Sequence, residues 1–327
     1  MSNLLFILGG VFMKEVQVEF TSNVVLRGTL TLPEGTEKYP AVIMLHGSGP
    51  VDRNSNVKGL ANMNLFNTFA EQFSNIGFAS LRYDKRGVKE SEGSFLESVM
   101  HDLVNDAVAG VQFLKKHPQI DSDKIIVLGH SEGSFLAPLL NHIEPVSGII
   151  FLAGATGSLS EATKYQLDNI AREIQSKKGA VGWLLRKLNV DEKLVKKNKK
   201  VMAKIMGSDK DTMRIMLAKI NAKWFREHYA YNVSDILPSV LCPSLAITGS
   251  KDIQVTPQDA EVIASLVNGP SEYYILDGMN HILRNQTEEL TILGLKKLYA
   301  KNLDKPLDER LVVLLTDWLK RTYMSYS

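Results

Sequence analysis

Short apolar runs alternate with longer segments of helical periodicity along most of the chain. The apolar runs are rich in Val, Ile and Leu and are bounded by Gly, Pro and Asp, which is typical of buried strands. Strands are predicted over residues 14–20, 24–33, 41–46, 78–83, 124–129, 148–154, 243–252 and 271–281. Helices are predicted over residues 60–76, 98–116, 132–142 and 307–321. This alternation predicts an α/β fold with a mainly parallel eight-stranded sheet and helices on both faces.

The alternation stops between residues 158 and 232, where every segment is predicted to be helical. Ser158 and Glu161 have the spacing of a capping box, so a helix is predicted to begin there. Further helices are predicted over residues 180–189, 191–206 and 209–228. We therefore predict a core of residues 13–157 and 233–327, interrupted by a helical cap insertion at residues 158–232.

Residues 1–12 precede the first predicted strand and carry an apolar stretch from Leu4 to Phe12. A basic leader before this stretch and a convincing cleavage site after it are both missing, which argues against a secretory signal. Gly9 and Gly10 are residues that a purine-rich ribosome-binding sequence upstream of Met13 would encode. We predict that residues 1–12 are a mis-assigned start or a disordered extension.

The composition is that of an ordinary globular protein, with 44% hydrophobic and 23% charged residues. The one cysteine, Cys242, excludes an internal disulfide and a thiolate metal cluster, which fits a reducing compartment. No apolar run approaches the ~20 residues that span a bilayer. The predicted localisation is therefore cytoplasmic, with no membrane span.

The charge is unevenly distributed. Residues 158–232 hold 17 Lys and Arg against 8 Asp and Glu, although the whole chain has a formal net charge of only +2. We interpret this excess as the solvated faces of amphipathic helices, since no nucleic-acid-binding motif accompanies it. Recruitment of anionic substrates is the alternative. No nucleic acid is expected as a partner, and a homodimer is left open.

Ser131 lies between Gly129 and Gly133 in the pattern G-H-S-E-G, after a predicted strand and before a predicted helix. This is the context of a nucleophile elbow, in which a strained turn exposes a serine hydroxyl. Such a serine needs a base and an acid that orients the base. Asp252 and His281 each follow a later strand, and the carboxyl ends of parallel strands meet at one edge of a sheet.

We therefore predict a catalytic triad of Ser131, His281 and Asp252. Asp277 is a weaker alternative for the acid, because it lies only four residues before His281 on the same loop. For the oxyanion hole, one predicted donor is the backbone N–H of Glu132, and the other comes from the loop "HGSGP" after strand 41–46. Ser48 N–H is the first choice in that loop and Gly47 N–H the second.

The motifs "LHGSGP", "RYDKRG", "GHSEGS", "GSKD" and "MNH" together resemble those of the α/β-hydrolase superfamily over residues 14–157 and 233–325. Within it, "HGSGPVDRN" with "GHSEG" is similar to serine carboxylesterases near the dienelactone hydrolases and the prolyl-oligopeptidase catalytic domain. The resemblance implies a serine hydrolase with a helical cap after the sixth strand, and "YDKRG" as a structural turn. Dienelactone hydrolases proper use cysteine, so Ser131 argues against their activity.

The predicted function is that of a serine carboxylesterase that hydrolyses small to medium acyl esters, with a small-molecule ester as its partner. No cofactor and no metal are expected, since no acidic or histidine cluster has ligand spacing. Amide or peptide hydrolysis, or acyl transfer, by the same triad is the alternative, and a non-catalytic binding protein is the least favoured. We also predict an apolar pocket between cap and core, with Ser131 at its floor.

Overall fold

The computed structural model describes residues 4–8, 11–35, 38–58 and 62–324. Its strands are β1 (Leu4–Leu8), β2 (Val11–Thr21), β3 (Val25–Leu32), β4 (Tyr39–Leu45), β5 (Ala79–Tyr83), β6 (Ile120–His130), β7 (Gly148–Leu152), β8 (Thr212–Ile215), β9 (Ala218–Asn221), β10 (Ser244–Gly249) and β11 (Ser271–Leu276). Its helices are α1 (Leu65–Asn75), α2 (Met100–Lys116), α3 (Glu132–Ile143), α4 (Leu159–Ser176), α5 (Gly179–Lys187), α6 (Val190–Met206), α7 (Ala222–Ala230), α8 (Val233–Ile236), α9 (Asp259–Leu266), α10 (Leu295–Asn302) and α11 (Glu309–Tyr323).

One large sheet has the strand order β1-β2-β3-β5-β4-β6-β7-β10-β11. The strands from β5 through β11 in this order pair in parallel, whereas β1, β2 and β3 add to the edge by antiparallel pairing. The mainly parallel sheet is thus confirmed, and the eight predicted strands are all present. The sheet has nine strands because β1 pairs with β2 at the outer edge.

The prediction of a disordered N-terminal extension is wrong for residues 4–8, because Leu4–Leu8 is a strand that pairs with β2. That the natural protein starts at Met13 stays a prediction.

The two faces of the sheet bury separate apolar clusters, and β4 shows why. Its residues alternate in direction, as in any strand, so that Ile43 joins the cluster of α2 and α3 while Met44 joins that of α1 and α11. Both side chains are fully buried. Burial of such a side chain contributes about 1.5–3 kcal/mol. The strand is therefore fixed from both sides, and its carboxyl end is a firm support for the loop that follows.

Between β7 and β10 lies the insertion, residues 159–230, which comprises α4 to α7 and the hairpin of β8 and β9. The prediction of helix throughout is wrong for residues 212–221. Met213 pairs with Ile220 and Arg214 with Lys219 in an antiparallel ladder, and Met216 in the turn has a φ of +56°. Apolar and basic residues alternate here with a period of two, which is a strand pattern. Helix α7 begins only at Ala222, where Asn221 caps it by accepting from Trp224 N at 2.9 Å.

Helices α9 and α10 were also not predicted from the sequence, and α10 lies between His281 and α11. It is tied to the insertion by Glu173 near the end of α4. The carboxylate of Glu173 accepts from Thr291 Oγ1 and Ile292 N at 2.7 Å and from Leu293 N at 3.0 Å. The two segments thus contact each other above the carboxyl ends of the central strands. Among the helices that the structure describes, none is long and apolar enough to cross a membrane.

Candidate active site

Ser131 forms the turn between β6 and α3, with φ +54° and ψ −114°, a conformation that costs energy in any residue except glycine. The flanking glycines make this turn possible. A Cβ at Gly129 would lie 2.3 Å from the carbonyl carbon of Gly133, and a Cβ at Gly133 would lie 2.1 Å from Leu45 O. The elbow is therefore pressed against β4, and this close approach explains the pattern G-x-S-x-G.

The structure brings the three predicted triad residues together. His281 Nε2 lies 3.0 Å from Ser131 Oγ, and His281 Nδ1 lies 2.7 Å from Asp252 Oδ2. The side chains of His281 and Asp252 are almost fully buried, at 6% and 0% exposure. The carboxylate is an acceptor, so Nδ1 carries a proton and Nε2 of the neutral ring is free to accept from the serine hydroxyl.

Asp252 is held by backbone groups on its own loop. Its Oδ1 accepts from Gln254 N at 2.8 Å and from Val255 N at 3.0 Å, which leaves Oδ2 for the histidine. Asp277, the alternative acid, instead accepts from Ser250 Oγ at 2.9 Å. The geometry therefore favours Asp252 as the orienting carboxylate.

A second histidine supports the first. His130 Nε2 lies 3.0 Å from His281 O, and the carbonyl can only accept, so His130 Nε2 is the donor. Burial, together with the nearby His281, lowers the pKa of His130 to about 4. The ring of His130, whose role the motif G-H-S-E-G does not reveal, thus holds the main chain of His281.

The loop after β4 lies beside the nucleophile. A Cβ at Gly47 would touch Ser131 Cβ at 3.4 Å, and Ser48 borders the same space as Ser131. The carbonyl of Gly47 accepts from Lys85 Nζ at 2.7 Å. In a trans peptide the carbonyl and the next N–H point in opposite directions, so Ser48 N–H points away from Lys85. The structure thus places the loop with the predicted donors Ser48 N–H and Gly47 N–H next to Ser131.

Lys85 belongs to the "YDKRG" motif, whose other charged residues do form structural pairs. Asp84 pairs with Arg53 Nη2 at 2.6 Å, and Arg86 pairs with Asp106 Oδ1 at 2.5 Å. Lys85 has a different position, because its Nζ also lies 2.7 Å from Glu132 Oε2 inside the protein. The interpretation of the motif as a structural turn therefore missed Lys85, which bonds both to Gly47 in the loop after β4 and to Glu132 at the start of α3.

The Glu132 carboxylate is contacted on its other oxygen by the insertion. Trp224 Nε1 donates to Oε1 at 2.8 Å, and His228 Nε2 lies 3.0 Å from that oxygen without the alignment of a hydrogen bond. Burial alone would raise the pKa of Glu132, but Lys85 and His228 outweigh it and hold that pKa well below its usual range. The residue after the nucleophile is therefore an ionised, buried carboxylate.

Three cavities meet at Ser131 and its neighbours. The largest, about 610 Å³, opens at Ser131 and His281 and is walled by the loop after β4 and by Leu295, Tyr299 and Leu303 of the α10 segment. A cavity of about 110 Å³ separates Ser131 from Leu159 and other residues of the insertion. A third, of about 260 Å³, lies between the loop after β4 and α7.

The predicted pocket between cap and core is present as the cavities of about 110 and 260 Å³, the smaller of which reaches Ser131. The prediction missed the largest space at Ser131, which is walled by α10 and has no residue of the insertion among its described lining residues. The reason is that the segment after His281 is long enough to fold back over the site. A volume of 300–1,000 Å³ is ordinary for a small-molecule site.

A protein family described as "Serine aminopeptidase, S33" matches residues 58–288. The matched stretch covers more than half of the chain and includes Ser131, Asp252 and His281. The chain belongs to this family. Its members share the α/β-hydrolase fold, so the resemblance drawn from the sequence motifs is confirmed.

Esterase EstD of Thermotoga maritima is 29% identical over 260 residues, which are 79% of this chain and 58% of EstD. This chain thus spans less than two thirds of that relative. Two solved structures share the fold at 17% identity and a TM-score of 0.59. Est1E of Butyrivibrio proteoclasticus, with ferulic acid bound, is matched over 93% of this chain and 96% of its own. The Pyrococcus furiosus esterase Pf2001 is matched over 94% and 91%.

Proposed function

We propose that the protein is a serine carboxylesterase that forms an acyl-enzyme intermediate. The observation that carries this proposal is the hydrogen-bonded chain from Ser131 through His281 to Asp252 at the mouth of a 610 Å³ cavity. Similarity to EstD agrees with it.

In the proposed reaction, His281 Nε2 takes the proton of Ser131 as Oγ attacks the ester carbonyl. The same proton then goes to the leaving alcohol, and an ester bond to Ser131 remains. Water, deprotonated by His281, hydrolyses this ester and releases the acid. Asp252 keeps the imidazole in the required tautomer and balances its transient positive charge.

The oxyanion of each tetrahedral intermediate is proposed to accept from the backbone N–H groups of Glu132 and Ser48. Glu132 N–H lies in the first turn of α3, where N–H groups have no partner inside the helix and the helix dipole favours negative charge. Removal of one such donor in serine hydrolases costs on the order of 100-fold or more in kcat.

For the substrate, we propose that the acyl group enters the 610 Å³ cavity, because its wall of Leu295, Leu303 and Met63 is largely apolar. We propose that the α10 segment, which lines this cavity with Leu295, Tyr299 and Leu303, limits the length of the acyl group to small or medium chains. We further propose that the insertion acts as a cap, with its 110 Å³ cavity beside Ser131 receiving the alcohol side.

Amide hydrolysis is the second candidate, because the family description names an aminopeptidase. An aminopeptidase needs a free carboxylate to bind the substrate ammonium group. Among the described residues that line the three cavities, Glu132 is the one carboxylate, and Lys85 already pairs with it. This favours an ester over a peptide N-terminus as the substrate.

The test combines labelling with paired substrates. We expect a fluorophosphonate probe to label the wild type and Ser48→Ala, which keeps its backbone N–H, but not Ser131→Ala. We expect p-nitrophenyl acetate to be hydrolysed far faster than p-nitroacetanilide. Labelling of Ser131→Ala would remove Ser131 as the nucleophile, and faster anilide hydrolysis would favour the amidase.

A further inference from the structure

We infer that helix α7 of the insertion positions the oxyanion hole through a buried ionic cluster. The cluster consists of Lys85, Glu132, Trp224 and His228. Its members from α7 are positioning residues, since they contact the Glu132 side chain and not the backbone N–H groups of Glu132 and Ser48 that are the proposed oxyanion donors. The inference rests on the proposed function, because an oxyanion hole has meaning only for acyl transfer.

The cluster lies inside the protein. The side chains of Lys85 and Glu132 are each 5% exposed, and that of His228 is 3% exposed. Buried charges are costly unless they are paired and hydrogen-bonded, and removal of one partner leaves the other uncompensated. The geometry of each member is therefore constrained by the others. A shift of α7 would either move the Glu132 carboxylate or break its hydrogen bond to Trp224.

The cluster connects both halves of the proposed oxyanion hole. Lys85 Nζ donates to Gly47 O and to Glu132 Oε2, each at 2.7 Å. The first contact orients the peptide between Gly47 and Ser48, which carries the Ser48 N–H. The second holds the residue whose own N–H is the other proposed donor. One ammonium group thus fixes the spacing between the two donors.

Two side chains of α7 complete the cluster from the opposite side. Trp224 and His228 are four residues apart, so they project from the same face of the helix. Their rings stack at 4.0 Å, and His228 Nδ1 lies 2.9 Å from Trp224 O, which keeps the histidine in place. His228 also stacks on Phe135 of α3 at 5.3 Å. The insertion therefore docks on the elbow helix at the point where Glu132 begins it.

The two-fold contact of Glu132 distinguishes this arrangement from ordinary packing. Its Oε2 faces the core through Lys85, and its Oε1 faces the insertion through Trp224. The carboxylate is therefore a link through which a displacement of Trp224 reaches Lys85 and, from it, Gly47 O.

Trp224→Phe tests the inference, because it removes the Nε1–H donor and keeps an aromatic ring against His228. Trp183→Phe is the matched control on the same insertion. Trp183 is 56% exposed, and its ring contacts Lys187 Nζ, 4.6 Å from the ring centroid. For Trp224→Phe we expect kcat to fall on the order of 10-fold with little change in KM, since a small misplacement of catalytic groups has such effects. For Trp183→Phe we expect wild-type kinetics.

Inhibition by a trifluoromethyl ketone separates positioning from packing. The ketone adds to the serine and places an oxyanion in the hole, so its Ki should rise by the same factor as kcat/KM falls. Rates are expressed per active site, counted with the fluorophosphonate probe, so that unfolded protein does not contribute. A rise in KM with unchanged kcat and unchanged ketone Ki would reduce Trp224 to a pocket wall and overturn the inference.

Amide hydrogen exchange gives a second readout that needs no substrate. Ser134 N and Phe135 N donate to Ser131 O at 3.0 and 3.3 Å in the first turn of α3. In Trp224→Phe, exchange of these two amides should be faster than in the wild type, and in Trp183→Phe it should be unchanged. Equal exchange in all three proteins would overturn the coupling. An inert wild type with faster exchange in Trp224→Phe would instead overturn the proposed function and keep the mechanical link.

Discussion

His130 donates a hydrogen bond from Nε2 to the backbone carbonyl of His281, 3.0 Å away. The bond requires a proton on Nε2 and fixes the main chain of the residue that we propose as the base. Because burial lowers the pKa of His130 to about 4, the ring is neutral under ordinary conditions. Because its pKa is lowered on folding, His130 makes the stability of the folded state depend on pH.

We predict that the folded state loses stability as the pH falls from about 6.5 to about 4. In this window the unfolded chain binds a proton at residue 130, at an ordinary histidine pKa of about 6.5, while the folded chain does not. Stability is therefore fully present above the window and is lost within it, by up to about 3 kcal/mol for this group. Urea unfolding at pH 7 and pH 5 measures the loss.

The control for this prediction is His130→Gln, which keeps a donor but does not titrate. Its stability should depend less on pH than that of the wild type. Part of the dependence should remain, because burial and Lys85 also lower the pKa of His46. Identical pH dependence in the two proteins would show that His130 does not contribute.

A second prediction separates the two candidate acids. Asp252→Asn should lower kcat by about 10⁴, because an amide favours the wrong tautomer of His281 and cannot balance its positive charge. Asp277→Asn should change kcat little, since its contacts at Ser250 lie outside the hydrogen-bonded chain. Steady-state kinetics of both variants on p-nitrophenyl acetate decide the matter, and the reverse ranking would refute Asp252 as the acid.

A third prediction concerns the elbow. Gly133→Ala should destabilise the protein by about 3 kcal/mol or more, because the new Cβ would lie 2.1 Å from the backbone oxygen of Leu45. Gly207→Ala is the matched change at the end of α6, where the Cβ would lie 3.2 Å from one helix carbonyl, and it should cost far less. Urea midpoints compare the two, and equal midpoints would contradict the close approach of elbow and β4.

A fourth prediction tests which cavity receives the acyl group. Leu295→Trp narrows the 610 Å³ cavity and should shift the preferred p-nitrophenyl ester to a shorter acyl chain. Leu159→Trp makes the same exchange in the 110 Å³ cavity and should leave the preferred chain length unchanged. The readout is kcat/KM for esters of two to sixteen carbons. A shift in Leu159→Trp alone would place the acyl group under the insertion.

The sequence was sufficient for the parts of the site that local patterns determine. Ser131, Asp252 and His281 each follow an apolar run, and the ends of parallel strands converge, so their proximity could be predicted without coordinates. Gly129 and Gly133 identified the elbow, because a turn in which two backbone segments approach this closely has no room for a Cβ at either position.

The rest depends on contacts between distant residues. Lys85 and Glu132 are 47 residues apart, and Trp224 is 92 residues from Glu132, so no periodicity connects them. The hairpin at 212–221 was predicted as helix because its apolar residues also fit a helical spacing over so short a length. Helix α10 was missed because it has only eight residues, five of them Lys, Asn or Tyr, and so short a segment does not establish a helical period.

The carboxylate of Glu173 has a consequence for how this protein can be re-engineered. It hydrogen-bonds α4 to residues 291–293, which lie more than a hundred positions later in the sequence. The insertion and the α10 segment are thereby fixed to each other above the site. Neither can be transplanted alone. A chimera that takes an insertion without a carboxylate at this position would leave the amides of 292 and 293 without their acceptor. One that takes only the α10 segment would keep the contact only if the new segment places its backbone N–H groups at the same points. Exchange of substrate preference between relatives therefore requires both segments as a matched pair.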